Sequence, residues 1–255
     1  MLKGFFMAVA SPEPRTTSNE TSNVKGRLRD PYIWHRLHSA SGIFPIGIFL
    51  LQHLIANSYA LRGPEAYNTV VKVFGYLPFV VVLEVLVIYL PILYHSIYGI
   101  WITAYAKPNL GKYQYGRNWM YFFQRASGVV ALFYIGYHVW HTSLAKYWAQ
   151  WHGSTQPDKM IDYNHMAHAL ASPWVLAIYA IGITGTVFHF TNGLWNFCIR
   201  WGITISAHSQ RMNQFFCWGL FAVFTLIGMA TIIHLHYDGV NSVAIASSAV
   251  AKITH

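Results

Sequence analysis

The chain has 255 residues, of which 55% are hydrophobic and only 10% are charged. Soluble globular domains carry about 25% charged residues, so this composition excludes an ordinary soluble domain. The formal net charge is +9, and the positions of the basic residues decide whether it reflects membrane topology or nucleic-acid binding.

The first 33 residues predict a flexible arm rather than a folded element. Residues 8–31 are rich in Ser, Thr, Asn, Pro and charged side chains, which bury too little apolar surface to become ordered. The apolar run near the start of the chain, FFMAVA, is too short for the core of a secretory signal. We therefore expect residues 1–33 to form an arm on the water side of the membrane.

Five stretches of the chain are apolar enough to cross a membrane as helices, which takes about 20 residues each. They cover residues 36–58, 76–105, 119–147, 173–198 and 213–236. Polar connectors separate them, and neither an internal repeat nor the short alternating strands of a membrane barrel are present. The sequence predicts an all-α membrane protein, with a five-transmembrane-helix bundle over residues 34–237 and a C-terminal tail over residues 238–255.

Basic residues are distributed unevenly between the two sides of the predicted bundle. With the N-terminus in the cytoplasm, most of the 17 Lys and Arg residues fall on the cytoplasmic side. These are Lys3, Arg15, Lys25, Arg27, Arg29, Arg36, Lys107, Lys112, Arg117, Arg125, Arg200 and Arg211. Cytoplasmic connectors carry an excess of Lys and Arg, so the pattern predicts a cytoplasmic N-terminus. The positive charge is then a topology signal, and we expect no nucleic-acid partner.

Each of the first four predicted spans contains one deep histidine: His53, His95, His138 and His189. A helix rises about 1.5 Å per residue, and successive spans run in opposite directions. His53 and His138 therefore fall about 25 Å from the cytoplasmic side, whereas His95 and His189 fall near it. The depths predict an outer pair, His53 with His138, and an inner pair, His95 with His189.

Two imidazoles that face each other across an apolar gap form the axial-ligand arrangement of a b-type haem. Glycines near the histidines would let a macrocycle approach the helices; they are Gly99, Gly136, Gly182 and Gly185. A closed zinc site needs four converging ligands, so two haems are favoured over zinc. Histidines that only pack against protein, or that line the proton pathway of a transporter, remain open alternatives.

The stretches that carry these histidines are RLHSASGIFPIGIFLLQHL, LPILYHSIYG, RNWMYFFQRASGVVALFYIGYHVWHT and FHFTNGLWNFCIRWGITIS. They resemble the cytochrome b subunit of succinate:quinone oxidoreductase, and more closely its di-haem, single-polypeptide type from menaquinone-using bacteria. The resemblance covers roughly residues 34–235. It implies that His53 and His138 ligate a low-potential outer haem b, and that His95 and His189 ligate a high-potential inner haem b.

The resemblance also implies a complex and an activity. A flavoprotein subunit would oxidise succinate in the cytoplasm, and an iron–sulfur subunit would relay the electrons. This chain would anchor both in the bacterial cytoplasmic membrane and pass electrons through two haems to menaquinone, without binding succinate itself. Fumarate reductases of the same build run in the opposite direction, and anchors of hydrogenases or formate dehydrogenases are further alternatives.

Five other residues are weaker candidates for this chemistry. Glu84 is the only acid inside a predicted span and lies level with the outer pair, so it is either a proton donor to quinone or a neutral, hydrogen-bonded carboxyl. Gln52 is a second candidate for contacting quinone. Arg36, His38 and Arg125 stand at the cytoplasmic ends of spans one and three, where they could bind haem propionates, although basic residues at span ends also reach the interface unaided.

Overall fold

The computed structural model of the chain describes residues 31–105, 111 and 115–253. Most of the predicted arm, residues 1–30, lies outside this range, as do Lys107 and Lys112 of the charge argument. The chain divides into two compact units, residues 1–37 and residues 38–255. The described part contains helices and no strands, so the prediction of an all-α membrane protein is confirmed.

Helices account for nearly all of the described residues. The α-helices are α1 (Pro31–Ile43), α2 (Ile46–Asn57), α3 (Pro64–Gly75), α4 (Val80–Leu83), α5 (Leu90–Ala104), α6 (Gly116–Val139), α7 (Ala145–Trp151), α8 (Tyr163–Leu170), α9 (Pro173–Arg200) and α10 (Ala207–Ile253). Two π-helical segments, Glu84–Tyr89 and Trp140–Leu144, join α4 to α5 and α6 to α7. Each of these joined pairs therefore runs as one continuous helix.

Within the described residues, four helical stretches are long and apolar enough to cross a membrane. They are Tyr32–Arg62, Val80–Ala104, Pro173–Arg200 and Ala207–Ala249. They coincide with predicted spans one, two, four and five. None of residues 80–104 is buried in protein, which suits a helix exposed to lipid. Helix α6 was predicted as span three; it is 24 residues long, but polar residues such as Arg117 and Gln124 lower its hydropathy, and it is not among the four.

Two helices differ from the boundaries that hydropathy predicts. The first span is interrupted between α1 and α2 at Pro45, whose nitrogen carries no proton for the helical hydrogen bonds. The carbonyl of Pro45 accepts from the backbone of Phe49 at 3.0 Å, so helical bonding resumes at once. The last helix does not end near residue 236 but continues to Ile253, so the predicted tail begins as an extension of α10.

The best-buried part of the second unit lies where α8, α9 and α10 meet. Leu170 and Val187 are almost completely buried there, and Leu235 of α10 joins the same apolar cluster. Tyr163 of α8 donates its hydroxyl proton to the carboxylate of Asp238 at 2.6 Å. Helix α9 packs against both α6 and α10, so its position is fixed by close neighbours on two sides.

Candidate functional site

The inner pair of histidines comes from α5 and α9. The ring centroids of His95 and His189 lie 6.1 Å apart, with an angle of 87° between the ring planes. Nδ1 of His95 lies 3.0 Å from the carbonyl oxygen of His38, and Nδ1 of His189 lies 2.9 Å from that of Gln124. A carbonyl oxygen only accepts, so each Nδ1 carries the proton and each Nε2 keeps its lone pair. This is the arrangement that orients imidazoles as metal ligands.

Two glycines on neighbouring helices make room for these imidazoles. A Cβ atom at Gly42 would lie 2.6 Å from Cε1 of His95, and one at Gly128 would lie 2.8 Å from Cε1 of His189. Carbon atoms in contact lie about 3.5–4.0 Å apart, so any side chain at either glycine would displace the ring. By contrast, a Cβ at Gly136, which the sequence suggested as such a position, would meet nothing within 4 Å.

A buried amide network supports His189 from the side of α6. The amide nitrogen of Asn192 donates to Oε1 of Gln124 at 2.6 Å. The amide nitrogen of Gln124 donates to the backbone carbonyl of His189 at 3.0 Å. The backbone carbonyl of Gln124 also accepts from Nδ1 of the His189 imidazole. Gln124 therefore binds both the backbone carbonyl and the ring of His189. The network fixes the ring orientation that the inner pair requires.

The outer pair of histidines comes from α2 and the end of α6. The ring centroids of His53 and His138 lie 5.7 Å apart, with an angle of 75° between the planes. Nδ1 of His138 lies 3.1 Å from the hydroxyl of Tyr179. Nε2 of His53 lies 3.3 Å from the amide nitrogen of Asn57, and an amide nitrogen can only donate. Nε2 of His53 is therefore an acceptor, as a metal-binding nitrogen must be, and Asn57 occupies that position here.

The spacing of both pairs fits a single metal ion between them. A metal–imidazole bond of about 2 Å on each side places the two nitrogens about 4 Å apart and the ring centres about 6 Å apart. The measured separations are 5.7 Å and 6.1 Å. In the part of the chain that the structure describes, no group of three or more His, Cys, Asp or Glu side chains could hold one ion. The separations therefore suit one ion between His53 and His138 and one between His95 and His189.

A cavity of about 1290 Å³ adjoins the outer pair, and both His53 and His138 line it. Sites for one small molecule measure roughly 300–1,000 Å³, so this cavity has room for more than one such ligand. Gln52 and Glu84 also line it. The cavity therefore brings together both of the residues that the sequence suggested for quinone and the outer pair of histidines.

Glu84 has a partner that the sequence does not reveal. The hydroxyl of Tyr147, on α7, donates a hydrogen bond to Oε2 of Glu84. Tyr147 also lines the cavity. At the same cavity, Lys146 forms an ion pair with Asp158 at 2.8 Å. The acid is therefore hydrogen-bonded across two helices and is not an isolated carboxyl in lipid.

The three candidates for binding propionates have different surroundings. The ring of His38 stacks on that of His95, with centroids 4.0 Å apart and planes within 16°. The guanidinium of Arg125 lies 3.3 Å from the centre of the Tyr121 ring. Its Nε is buried and has no hydrogen-bond acceptor among the residues that the structure describes. In the first unit, the guanidinium of Arg36 lies 5.6 Å from the ring centre of Tyr32.

Sequence reasoning missed the residues that hold the histidines in place. Gln124, Asn192, Tyr179 and Asn57 are polar side chains within or beside apolar spans. Polar residues inside spans are functional candidates by default, and that signal was available for each of them. Their partners could not be found from spacing, because each hydrogen bond except that of Asn57 joins different helices.

Comparison with known proteins gives one informative relative. The chain is 39% identical over 201 residues to the succinate dehydrogenase cytochrome b558 subunit of Bacillus subtilis (strain 168). The aligned region covers 79% of this chain and 95% of that subunit. No family model matches the chain.

Proposed function

Since this chain belongs to the family of succinate dehydrogenase cytochrome b subunits, we propose that it passes electrons from succinate oxidation to menaquinone. As a member of that family it is a multi-pass membrane subunit of an oxidoreductase complex. A flavoprotein and an iron–sulfur subunit are the proposed partners on the cytoplasmic side. The chain itself supplies the membrane anchor and the quinone-reducing site, in the cytoplasmic membrane of a bacterium.

The observation that carries this proposal is the pairing of histidines across the bundle. We propose His95 with His189, and His53 with His138, as the axial ligands of two b haems. Both pairs have the separation that one metal ion needs, and His95 and His189 each have Nδ1 held by a backbone carbonyl. When bound, the two haems would supply one-electron transfer across the apolar interior of the protein. The protein's part is to orient each imidazole and to exclude water.

His53 needs one local change before it can ligate a metal. The amide of Asn57 faces Nε2 of His53 at 3.3 Å, and the hydroxyl of Tyr67 donates to the carbonyl of the same amide at 3.3 Å. A rotation of the Asn57 side chain would free Nε2. The same amide nitrogen also donates to the backbone carbonyl of His53 at 2.8 Å.

We propose five membrane spans with the N-terminus in the cytoplasm. Helix α6 is span three of the five in this scheme, because 24 residues make a helix about 36 Å long and the hydrocarbon core is about 30 Å thick. Arg117 and Arg125 then stand at its cytoplasmic end. Residues 1–33 form the cytoplasmic arm and residues 238–255 the tail beyond the bundle, with the His53–His138 pair on the outer side.

Haem propionates are proposed to bind at the cytoplasmic end of the inner site. Arg125 supports this best, because its buried Nε is a donor that gains an acceptor when a carboxylate is present. His38 is proposed as a second group at this end, because its ring stacks on that of His95. Arg36, two residues earlier in α1, is proposed from its place at the cytoplasmic end of the first span.

Menaquinone is proposed to bind in the cavity beside the outer pair. The volume of about 1290 Å³ leaves space for a quinone ring next to a macrocycle. Glu84 is the proposed proton donor, and Gln52 is the proposed hydrogen-bond partner of a quinone carbonyl. Both residues line the cavity.

Purification of the intact complex from native membranes tests this function. An affinity tag on the chain should recover a succinate-oxidising flavoprotein and an iron–sulfur subunit, and added succinate should reduce the haem of the purified complex. Recovery of hydrogen- or formate-oxidising subunits instead, with haem that succinate does not reduce, would show that the chain anchors another dehydrogenase. A reduced-minus-oxidised spectrum without haem b would favour a histidine-lined transporter.

A further inference from the structure

The hydrogen bond between Tyr147 and Glu84 joins two spans at the wall of the cavity. Glu84 belongs to the α4–α5 helix, and Tyr147 belongs to the α6–α7 helix. Both side chains are partly buried, and both line the cavity that contains His53 and His138. The only acid of the predicted spans is thus connected to a hydroxyl that can exchange protons.

The π-helical segment between α6 and α7 brings Tyr147 to this wall. Tyr147 follows His138 by nine residues, which is two and a half turns of a regular α-helix of 3.6 residues per turn. The two side chains would then point to opposite sides. The segment Trp140–Leu144 has the wider i→i+5 bonding and rotates less per residue, so it turns Tyr147 back towards the face of His138.

A second π-helical segment lines the same cavity. It begins at Glu84 and ends at Tyr89. Such segments occur frequently at functional sites, because they realign side chains at the expense of regular helical bonding. Both π-helical segments of the described chain contribute to this wall: Glu84 and Val87 come from one, and Thr142 and Ser143 from the other.

A solvent-exposed ion pair also lines the cavity. Lys146 precedes Tyr147 in the chain and forms an ion pair with Asp158 at 2.8 Å. The side chain of Lys146 is 22% exposed and that of Asp158 is 72% exposed. Both residues also line the cavity. The lining of the cavity therefore includes charged groups that reach solvent as well as the histidines of the outer pair.

We propose that Tyr147 and Glu84 act together as the proton donor of quinone reduction, supplied with protons from water that enters beside the exposed Lys146–Asp158 pair. This inference rests on the proposed function. Quinone accepts two electrons, which succinate oxidation releases, and two protons, which convert its two carbonyl oxygens into hydroxyls. For each proton, the O–H bond of Glu84 breaks and a quinone O–H bond forms. Tyr147 then passes its proton to the carboxylate and takes another from water, so the two residues are unchanged after the cycle.

The alternative role for Tyr147 is a structural clamp between two helices. Removing the hydroxyl of Tyr147 distinguishes the two roles, because a clamp and a proton donor affect different measured quantities. Without a proton donor, quinone still binds but its protonation becomes slower, so kcat falls while KM stays the same. Proton transfer also becomes the slow step, and the rate then depends more strongly on replacing H₂O by D₂O. Loss of a clamp lowers thermal stability without changing the isotope effect.

The test compares Tyr147→Phe and Glu84→Gln with the wild-type complex, using a soluble menaquinone analogue. Tyr94→Phe is the matched control, because Tyr94 lies on the same continuous helix as Glu84 but not in the cavity wall. We expect Glu84→Gln to lower kcat on the order of 100-fold, as for loss of a general acid. We expect Tyr147→Phe to lower kcat about tenfold, with unchanged KM and an increased solvent isotope effect, and Tyr94→Phe to match the wild type.

The outcomes separate this inference from the proposed function. A wild-type kcat for Tyr147→Phe, or a lower kcat with the wild-type isotope effect, would overturn the proton-donor role. Tyr147→Gln gives a second test, since its amide can still donate to Glu84 but cannot pass on a proton; it should show the same loss of kcat. A wild-type complex that reduces no menaquinone analogue with succinate would instead overturn the proposed function.

Discussion

The imidazole of His189 packs directly on Gly128. A Cβ atom at Gly128 would lie 2.8 Å from Cε1 of His189 and 3.1 Å from its Nδ1. The ring therefore occupies space that every other residue type would fill, and Nδ1 of His189 reaches the carbonyl of Gln124 only because this space is open.

Replacement of Gly128 is expected to remove the inner haem selectively. In Gly128→Val the branched side chain pushes the imidazole off its position, so the His95–His189 pair can no longer take one metal ion. We expect the haem content per chain to fall by about half, measured by the pyridine haemochrome spectrum. Gly136→Ala is the matched control on the same helix, because its Cβ meets nothing within 4 Å. Unchanged haem in Gly128→Val would contradict this packing.

Gln124 and Asn192 are expected to act as a unit. Gln124→Leu removes the 2.6 Å acceptor of the Asn192 amide and leaves only its longer bond to the carbonyl of Met120 at 3.3 Å. Loss of one such hydrogen bond costs about 0.5–1.5 kcal/mol. We expect a lower midpoint of thermal unfolding and a shifted midpoint potential of the inner haem. The double variant Gln124→Leu/Asn192→Leu should be less destabilised than the sum of the two single variants. Additive losses would show that the two amides act independently.

Tyr179 is expected to strengthen haem binding at the outer pair of histidines. Its hydroxyl is the partner of Nδ1 of His138 at 3.1 Å, and loss of such a partner typically lowers metal affinity about 10–100-fold. Tyr179→Phe should therefore release the outer haem at a lower detergent or denaturant concentration than the wild type, while the inner haem is retained. Tyr105→Phe, at an exposed position, serves as control. Equal haem loss in both variants would show that this hydroxyl does not support the ligand.

The sequence predicts the position of a residue along its own helix, but not its contacts with residues of other helices. His53, His95, His138 and His189 could be paired from depth alone, because a straight helix converts residue number into position across the membrane. The positions against which the imidazole rings pack could not be predicted in this way. Gly42 and Gly128 lie on different helices from the histidines that they accommodate, so spacing along one helix directed attention to glycines such as Gly136 instead.

The sequence also could not predict which way the side chains after His138 point. A regular helix would turn Tyr147 away from the outer pair, and no residue pattern marks the π-helical segment Trp140–Leu144 that changes its direction. Glu84 was identifiable as the single acid in the spans. Its hydrogen bond to Tyr147 joins residues 63 positions apart, and only the packing of the two helices brings them together.

The hydrogen bond between Tyr163 and Asp238 is expected to stabilise the contact of α8 with α10 in a pH-dependent way. Burial, and then the hydrogen bond to Asp238, raise the pKa of Tyr163 above its ordinary value of 10. A raised pKa stabilises the folded state below about pH 10 and loses this effect as the pH rises further. At pH 8, Tyr163→Phe should lower the free energy of unfolding by about 1–2 kcal/mol. It should therefore unfold at a lower temperature than the wild type.

The difference in unfolding temperature between the wild type and Tyr163→Phe should become smaller above pH 10. Thermal unfolding of both, followed by circular dichroism at pH 8 and at pH 10.5, measures it. A difference that is constant over this range would show that the proton of Tyr163 is not shared with Asp238.

Haem content per chain tests the central claim most directly, namely that the four histidines bind two haems in two pairs. The wild-type complex should contain two b haems per chain. His53→Ala should retain only the inner haem and His95→Ala only the outer one, each with a single step in a potentiometric titration. Two haems in either variant, or one haem in the wild type, would contradict the pairing.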